Sequence, residues 1–337
     1  MINSNRRYEE LLSSIQELHG QIRKHVRNQI KKQGEHLSDV IKYGNGDVSY
    51  RIDAHCEQII DDWFQNNAPM EGAIVICEGL GKVVYPSWIG EDNAQWRILI
   101  DPLDGTRHIM YDNRSCWILT GIAPNLGDRT CLSDIVAAIQ TEIPITLQEK
   151  GVVLTAIRNH GVGAQLFDLS TENKIADTVH IAPSNAVTLV NGFAVFSNFF
   201  PGAKEIISKI EENTIAALYG QALQNGALIF TEQYISNAGQ LYMMATGKYR
   251  MVADIRADLN IYQEKHGKAL PLCTHPYDLS ASLIAEEAGC ILVTPKGHAL
   301  DYPMDLDTNC SWICYANQQL YEAVHPILIG ELERIND

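Results

Sequence analysis

Two domains of mixed helix and strand are what this sequence predicts: an α+β unit over residues 1–185, followed by an α/β unit over 186–337. Three patterns lead there. A long apolar stripe at helical spacing opens the chain, and short apolar runs bounded by Gly, Pro, Asp or Asn fill the rest of the first half. From about residue 186 helix and strand patterns alternate.

Taken in order, Tyr8, Leu11, Leu12, Ile15, Leu18, Ile22, Val26 and Ile30 recur at steps mostly of three or four. They mark one face of an amphipathic helix that ends before Gly34. A second helix is expected over 53–66, packing through Ile59, Ile60, Trp63 and Phe64. The runs 73–77, 96–100, 115–123, 135–139 and 152–157 read as strands. In the second half the expected elements are strand 187–196, helix 201–213, a short run at 227–231 and helix 237–246, which stops at Gly247. Strand 249–255, helix 279–288 stopped by Gly289, strands 290–294 and 311–315, and a last helix near 318–329 complete the chain.

Charge narrows the function. Across 337 residues, 41 acidic side chains against 26 basic ones leave a formal charge of −15. That balance disfavours nucleic-acid polymers and anionic membranes, both of which need basic surface. A small phosphorylated substrate stays open, because a bound cation inverts the local sign. The opening MINSNRRYEELL has no apolar core after its arginines, so no secretory leader is expected. The most apolar stretch, 186–200, is interrupted by Asn191, Gly192, Ser197 and Asn198, too polar for a membrane span. Eight cysteines are scattered among apolar neighbours, with no C-x-x-C and no H-E-x-x-H. They read as small buried hydrophobes in a reducing cytoplasm.

The most informative segment is Asp101-Pro-Leu-Asp-Gly-Thr106. A strand delivers Asp101 at its carboxyl end, and Pro102 is expected to stop ladder pairing there. Asp101 and Asp104 could converge on hard cations, which take oxygen ligands. Gly105 would allow close backbone approach, and the N–H groups of Gly105 and Thr106 would suit phosphate. Read blandly, the same letters are a carboxylate capping a turn. Asp278 opens a helix, where the plain reading is an N-cap. Glu78 follows the strand 73–77, where it could be an ordinary loop acid.

Asp101-Pro-Leu-Asp-Gly-Thr106, with Tyr277-Asp278 and Glu286-Glu287-Ala288-Gly289, resembles the inositol monophosphatase family. That family belongs to a lithium-sensitive, metal-dependent phosphatase superfamily that includes fructose-1,6-bisphosphatase. Lys42, Asp47 and Asp53 before the second helix, Ala245-Thr246-Gly247, and Ala316-Asn317 match in the same order. The resemblance implies a layered αβαβα sandwich of the sugar-phosphatase type, a homodimer, and two or three Mg²⁺ ions. It places Glu78, Asp101 and the Leu103 carbonyl on one ion, and Asp101, Asp104 and Asp278 on a second. Asp53 and Thr106 would orient or deprotonate the attacking water, Glu78 would reach a third ion, and the Gly105 and Thr106 amides would hold phosphate.

Several positions depart from the family. Its two adjacent carboxylates are here Glu78 and Gly79. Glu91-Asp92 looks more like the pair, but it lies only ten residues before Asp101, too few for the intervening excursion, so Glu78 is preferred. Tyr277 replaces Trp, Ser282 replaces Gly, and Arg107-His108 add positive potential after Thr106. His108 reads equally as a packing residue. Asp254 and Asp258 are the candidates for a carboxylate that binds substrate hydroxyls. The long segment 257–274 reads either as a lid or specificity loop or as a surface insertion. The expectation is a cytoplasmic Mg²⁺-dependent phosphomonoesterase for a small phosphorylated polyol, sugar or nucleotide. Its alternative, motivated by Gly79 and Ser282, is a family member that binds metal and phospholigand without turnover.

Overall fold

A computed structural model describes residues 2–33, 40–43, 48–175, 179–220 and 228–336. Asp47 lies outside the described residues, as does the side chain of Lys42. The first half runs α1 (Ile2–Gln33), β1 (Val40–Tyr43), β2 (Val48–Tyr50), α2 (Arg51–Asn67), β3 (Ala73–Cys77), β4 (Gly81–Tyr85) and β5 (Trp96–Asp104). It continues with α3 (Thr106–Met110), β6 (Cys116–Pro124), β7 (Ala137–Ile143), β8 (Lys150–Ile157), β9 (Val162–Asp168) and β10 (Asn173–Ile175). Then come β11 (Gly192–Phe196), α4 (Lys204–Tyr219), β12 (Ile229–Phe230), α5 (Asn237–Ala245) and β13 (Tyr249–Asp254). The chain closes with α6 (Asn260–Lys265), α7 (Leu283–Ala288), β14 (Ile291–Val293), β15 (Trp312–Tyr315) and α8 (Gln318–Asn336).

Five layers result. An eight-stranded sheet, ordered β10-β9-β8-β7-β6-β5-β3-β4, is antiparallel except where β3 runs parallel to β5. A five-stranded sheet is ordered β12-β11-β13-β15-β14. Helices α1 and α2 cover the outer face of the large sheet, α5 and α7 lie between the sheets, and α4 and α8 pack against the small sheet. Strand alternation explains how one sheet serves two cores: Ala73, Val75 and Cys77 face α1 and α2, while Ile74 and Ile76 face the inner layer. Leu18, Ile22 and Val26 of the α1 stripe are fully buried. Between them and the sheet sits His19, whose ring nitrogens meet Thr141 and Thr120 hydroxyls at 3.0 and 2.9 Å. Burial holds that imidazole neutral, with its pKa down to about 3.

Three expectations are corrected. β5 does not stop at Pro102 but continues to Asp104, with a register shift between Asp101 and Asp104. The expected helix 279–288 is a 3-10 turn, Pro276–Leu279, followed by the shorter α7. The last helix passes through Pro326 to Asn336 rather than ending near 329.

Candidate active site

The register shift is what makes the site. In a regular strand, residues three apart point to opposite faces. Asp101 pairs with Leu119 and Asp104 with Trp117, so three steps along β5 match two along β6. This is a β-bulge, and it flips the parity: Trp96, Ile98 and Ile100 face α1 and α2, and so does Leu103. Leu119 and Trp117 both face the inner layer, so Asp101 and Asp104 opposite them do too. Pro102, which donates no ladder hydrogen bond, sits within the bulge.

Asp278 arrives from the other half of the chain in the Pro276–Leu279 turn, where its Oδ2 accepts the His275 N–H at 2.6 Å. Carboxylate oxygens of Asp101, Asp104 and Asp278 then lie within 4.8 Å of one another. Oxygens bound to one hard cation are at most about 5 Å apart, so this oxygen-only set fits a divalent ion. Asp101 is 1 % exposed, and burial followed by repulsion from Glu78, Asp104 and Asp278 pushes its carboxyl well above the usual range. Asp104 is raised to about 6 by burial, against the pull of hydrogen bonds from Ser236, Ala238 and Asn237.

Those hydrogen bonds come from the start of α5. Ser236 Oγ and the Ala238 N–H both donate to Asp104 Oδ2 at 2.7 Å, and the Asn237 N–H reaches Oδ1 at 3.3 Å. The carboxylate therefore caps a helix across the inner layer while keeping acceptor capacity for an ion. On the other side of the turn, the Leu103 N–H donates to Asp101 Oδ1 at 2.9 Å. The Thr106 hydroxyl lies 2.8 Å from the Leu103 carbonyl and 3.2 Å from Asp53 Oδ1, two acceptors competing for one proton. Gly105 has φ 93°, and a Cβ there would crowd Ser236 and the Ile235 carbonyl.

Asp53, Glu78, Asp101, Leu103, Asp104, Gly105, Thr106 and Asp278 line one open cavity. Glu91 does not: it pairs with Lys82 at 2.7 Å on the exposed β4 side. Asp254 and Asp258 are not brought to the cavity either. Asp254 is fully buried, bound by Arg256 Nε at 2.8 Å and Thr274 Oγ1 at 2.8 Å. The Asp258 N–H caps onto Ser311 Oγ at 3.1 Å. His108 is a packing residue, its Nε2 accepting the Ile235 N–H at 2.9 Å and its Nδ1 meeting Asn113 at 2.8 Å. The segment after Ala257 folds as a 3-10 turn and α6, pinned by buried Gln263, whose amide donates to the Gly202 and Ala269 carbonyls. Ser282 is buried immediately before α7.

Sequence reasoning missed two features. Asn237 read only as a helix start and Ser236 was not singled out, although a Ser N-cap was legible. Glu57 was not singled out, yet its carboxylate fills the space a side chain at residue 79 would take, and Gly79 has φ 77°. Its signal was the i,i+4 spacing from Asp53 on α2.

The model of the inositol monophosphatase family matches residues 7–331. The chain belongs to this family. Solved structures with the same fold include fructose-1,6-bisphosphatase of Leishmania major, with TM-score 0.68 and 14 % identity over 96 % of this chain and 94 % of that one. A Thermotoga maritima IMPase gives 0.60 and 15 %, covering 94 % and 96 % of the two chains. The extragenic suppressor protein suhB of Bartonella henselae gives 0.62 and 17 %, covering 93 % and 98 %. No curated protein matches the sequence. Among the described residues of this inositol monophosphatase family member, no helix is long and apolar enough to cross a membrane.

Proposed function

We propose that the chain is a Mg²⁺-dependent phosphomonoesterase acting on a small phosphorylated polyol, sugar or nucleotide by attack of water on phosphorus. The observation that carries this reading is the convergence of Asp101, Asp104 and Asp278 in the cavity that also holds the Thr106–Asp53 pair. Asp101, Asp104 and Asp278 would hold one ion; Glu78, Asp101 and the Leu103 carbonyl would hold a second; and Glu78 would reach a third. Bound there, Mg²⁺ would polarise the phosphoryl group, lower the pKa of the attacking water and stabilise the leaving oxygen.

The protein's own groups do the positioning. Thr106 Oγ accepts a hydrogen bond from the water while donating its proton to Asp53, so the lone pair aims at phosphorus and Asp53 receives the proton. The Gly105 and Thr106 N–H groups take phosphate oxygens at the left-handed turn. Residues 1–185 supply most of the acids, and 186–337 supply Asp278 and leaving-group contacts. The reading includes a homodimer, by resemblance, and a reducing cytoplasm, from the scattered cysteines.

A second reading, binding without turnover, is favoured by Gly79. Against it stands Glu57, which keeps an acid over that glycine. Phosphate release from inositol, sugar, bisphosphate and 3′-nucleotide esters, with and without Mg²⁺, decides. Release that requires Mg²⁺ supports the enzyme. Mg²⁺-dependent ligand binding without release selects the second reading.

A further inference from the structure

The loop that leads into α5 is held by the other half of the chain almost residue by residue. Glu232 accepts both Nη groups of Arg114, at 2.9 and 3.1 Å. Tyr234 donates its hydroxyl to the Ser115 carbonyl at 2.7 Å and accepts the Trp117 Nε1–H at 2.9 Å, with the Arg114 guanidinium 3.7 Å from its ring centre. Ile235 gives its N–H to His108 Nε2 at 2.9 Å. The next three residues, Ser236, Asn237 and Ala238, are those that donate to Asp104. Residues 108–117 and 232–235 thus form a latch, which His108 closes one residue before the Asp104 donors begin.

That closing bond fixes the form of the imidazole. A backbone N–H can only donate, so Nε2 offers a lone pair. The ring proton of the neutral form then sits on Nδ1, where Asn113 Oδ1 accepts it at 2.8 Å. An imidazolium would turn a proton toward the Ile235 N–H and lose the bond. The surroundings favour the neutral ring: burial, first, holds its pKa below the ordinary value, and Arg114 adds to this against Asn113 and Glu232. Glu232 is itself engaged by Arg114, and the Tyr234 ring meets the imidazole edge to face at 5.4 Å. His108 stands on α3, two residues after Thr106, while Gly105 lies close against Ile235 and Ser236. One side chain therefore joins the Gly105–Thr106 turn to the loop that starts α5.

We propose that His108 is a positioning residue for the metal site: by holding the Ile235 N–H, its Nε2 keeps residues 236–238 seated on Asp104 and that carboxylate aligned with Asp101 and Asp278. This rests on the metal-dependent phosphomonoesterase reading. His108 touches neither ion nor substrate and works through Asp104.

Two amide side chains tell the ring nitrogens apart. In His108→Gln the Oε1 atom reaches about as far as Nε2 and can accept the Ile235 N–H; in His108→Asn the shorter side chain ends near the Nδ1 position and cannot. Mg²⁺ affinity is measured by calorimetry on the wild type and both variants at about pH 8, where the imidazole is neutral, with Tm recorded in chelator. His108→Asn should weaken Mg²⁺ binding by about tenfold, while His108→Gln stays within about threefold of the wild type. In phosphate release, the same order should appear as a rise in the Mg²⁺ concentration that gives half the maximal rate. Equal Mg²⁺ affinities in all three chains, or equal losses in both variants, overturn the proposal, whatever happens to Tm. Nitrogen-15 spectra of the wild-type imidazole test it without a variant: a proton on Nδ1 is expected, and a proton on Nε2 overturns it. Phosphate release from no compound, with Mg²⁺ still bound, would fail the phosphomonoesterase reading instead and leave the affinities to decide the role of His108.

Discussion

Asp104, the last residue of β5, accepts a 2.7 Å hydrogen bond from the hydroxyl of Ser236, the residue that caps α5. The same hydroxyl oxygen accepts the Gly239 N–H at 2.9 Å, so one side chain starts a helix and orients a carboxylate. Ser236→Ala removes both bonds. It should cost about 1–2 kcal/mol in denaturant unfolding and weaken Mg²⁺ binding measured by calorimetry. Lower stability with unchanged Mg²⁺ affinity would show that the hydroxyl only caps the helix.

The acid cluster gives stability an unusual pH dependence. Asp104 has a folded-state pKa of about 6 against an ordinary 3.8, and Asp101 is raised as well, both first by burial. The folded state therefore binds more protons than the unfolded one. Its contribution is fully present below the ordinary carboxylate pKa and is lost as pH rises through the folded value. In chelator, the Tm should fall as pH rises from about 4 to above 6, and saturating Mg²⁺ should flatten that slope. A Tm with the same pH profile in chelator and in Mg²⁺ would separate these acids from metal binding.

Glu78 and Glu91 make a matched pair of variants. Glu78 lines the cavity, while Glu91 is half exposed and engaged by Lys82. Glu78→Gln should reduce phosphate release by about a hundredfold or more, and Glu91→Gln should leave it within about twofold. Kinetics at several Mg²⁺ concentrations check this, and the reverse ranking would move the first-domain glutamate to the other loop.

Asp254 is expected to act on stability rather than on substrate. Asp254→Asn leaves the Arg256 cation buried with its main partner gone, a loss of about 3–5 kcal/mol. Replacing both residues, Asp254→Asn with Arg256→Met, should recover part of that loss. Urea titrations measure it. A raised KM at unchanged stability would return Asp254 to the substrate.

Much of this was readable in the sequence, for physical reasons. Asp101, Asp104, Gly105 and Thr106 lie within six consecutive residues, so their chemistry survives without knowledge of the fold. The strands 73–77 and 152–157 were legible because breakers bound each apolar run. The bulge was not, because Pro102 signals an end to pairing and gives no sign that pairing resumes beyond it. The Asp254–Arg256 pairing was not legible, because an acid two residues before an arginine, at a strand end, does not announce that the two bury each other. Glu57 and Ser236 act on residues 22 and 132 positions away, a proximity set by packing alone.

The most direct test is phosphate release by the wild-type chain and by Asp101→Asn, each in Mg²⁺ and in chelator, with folding checked by circular dichroism. The wild type should release phosphate in Mg²⁺ and lose that activity in chelator. Asp101→Asn should be folded and inactive in both. Mg²⁺-independent release by the wild type, or an unchanged rate in Asp101→Asn, would contradict a reaction organised around this carboxylate cluster.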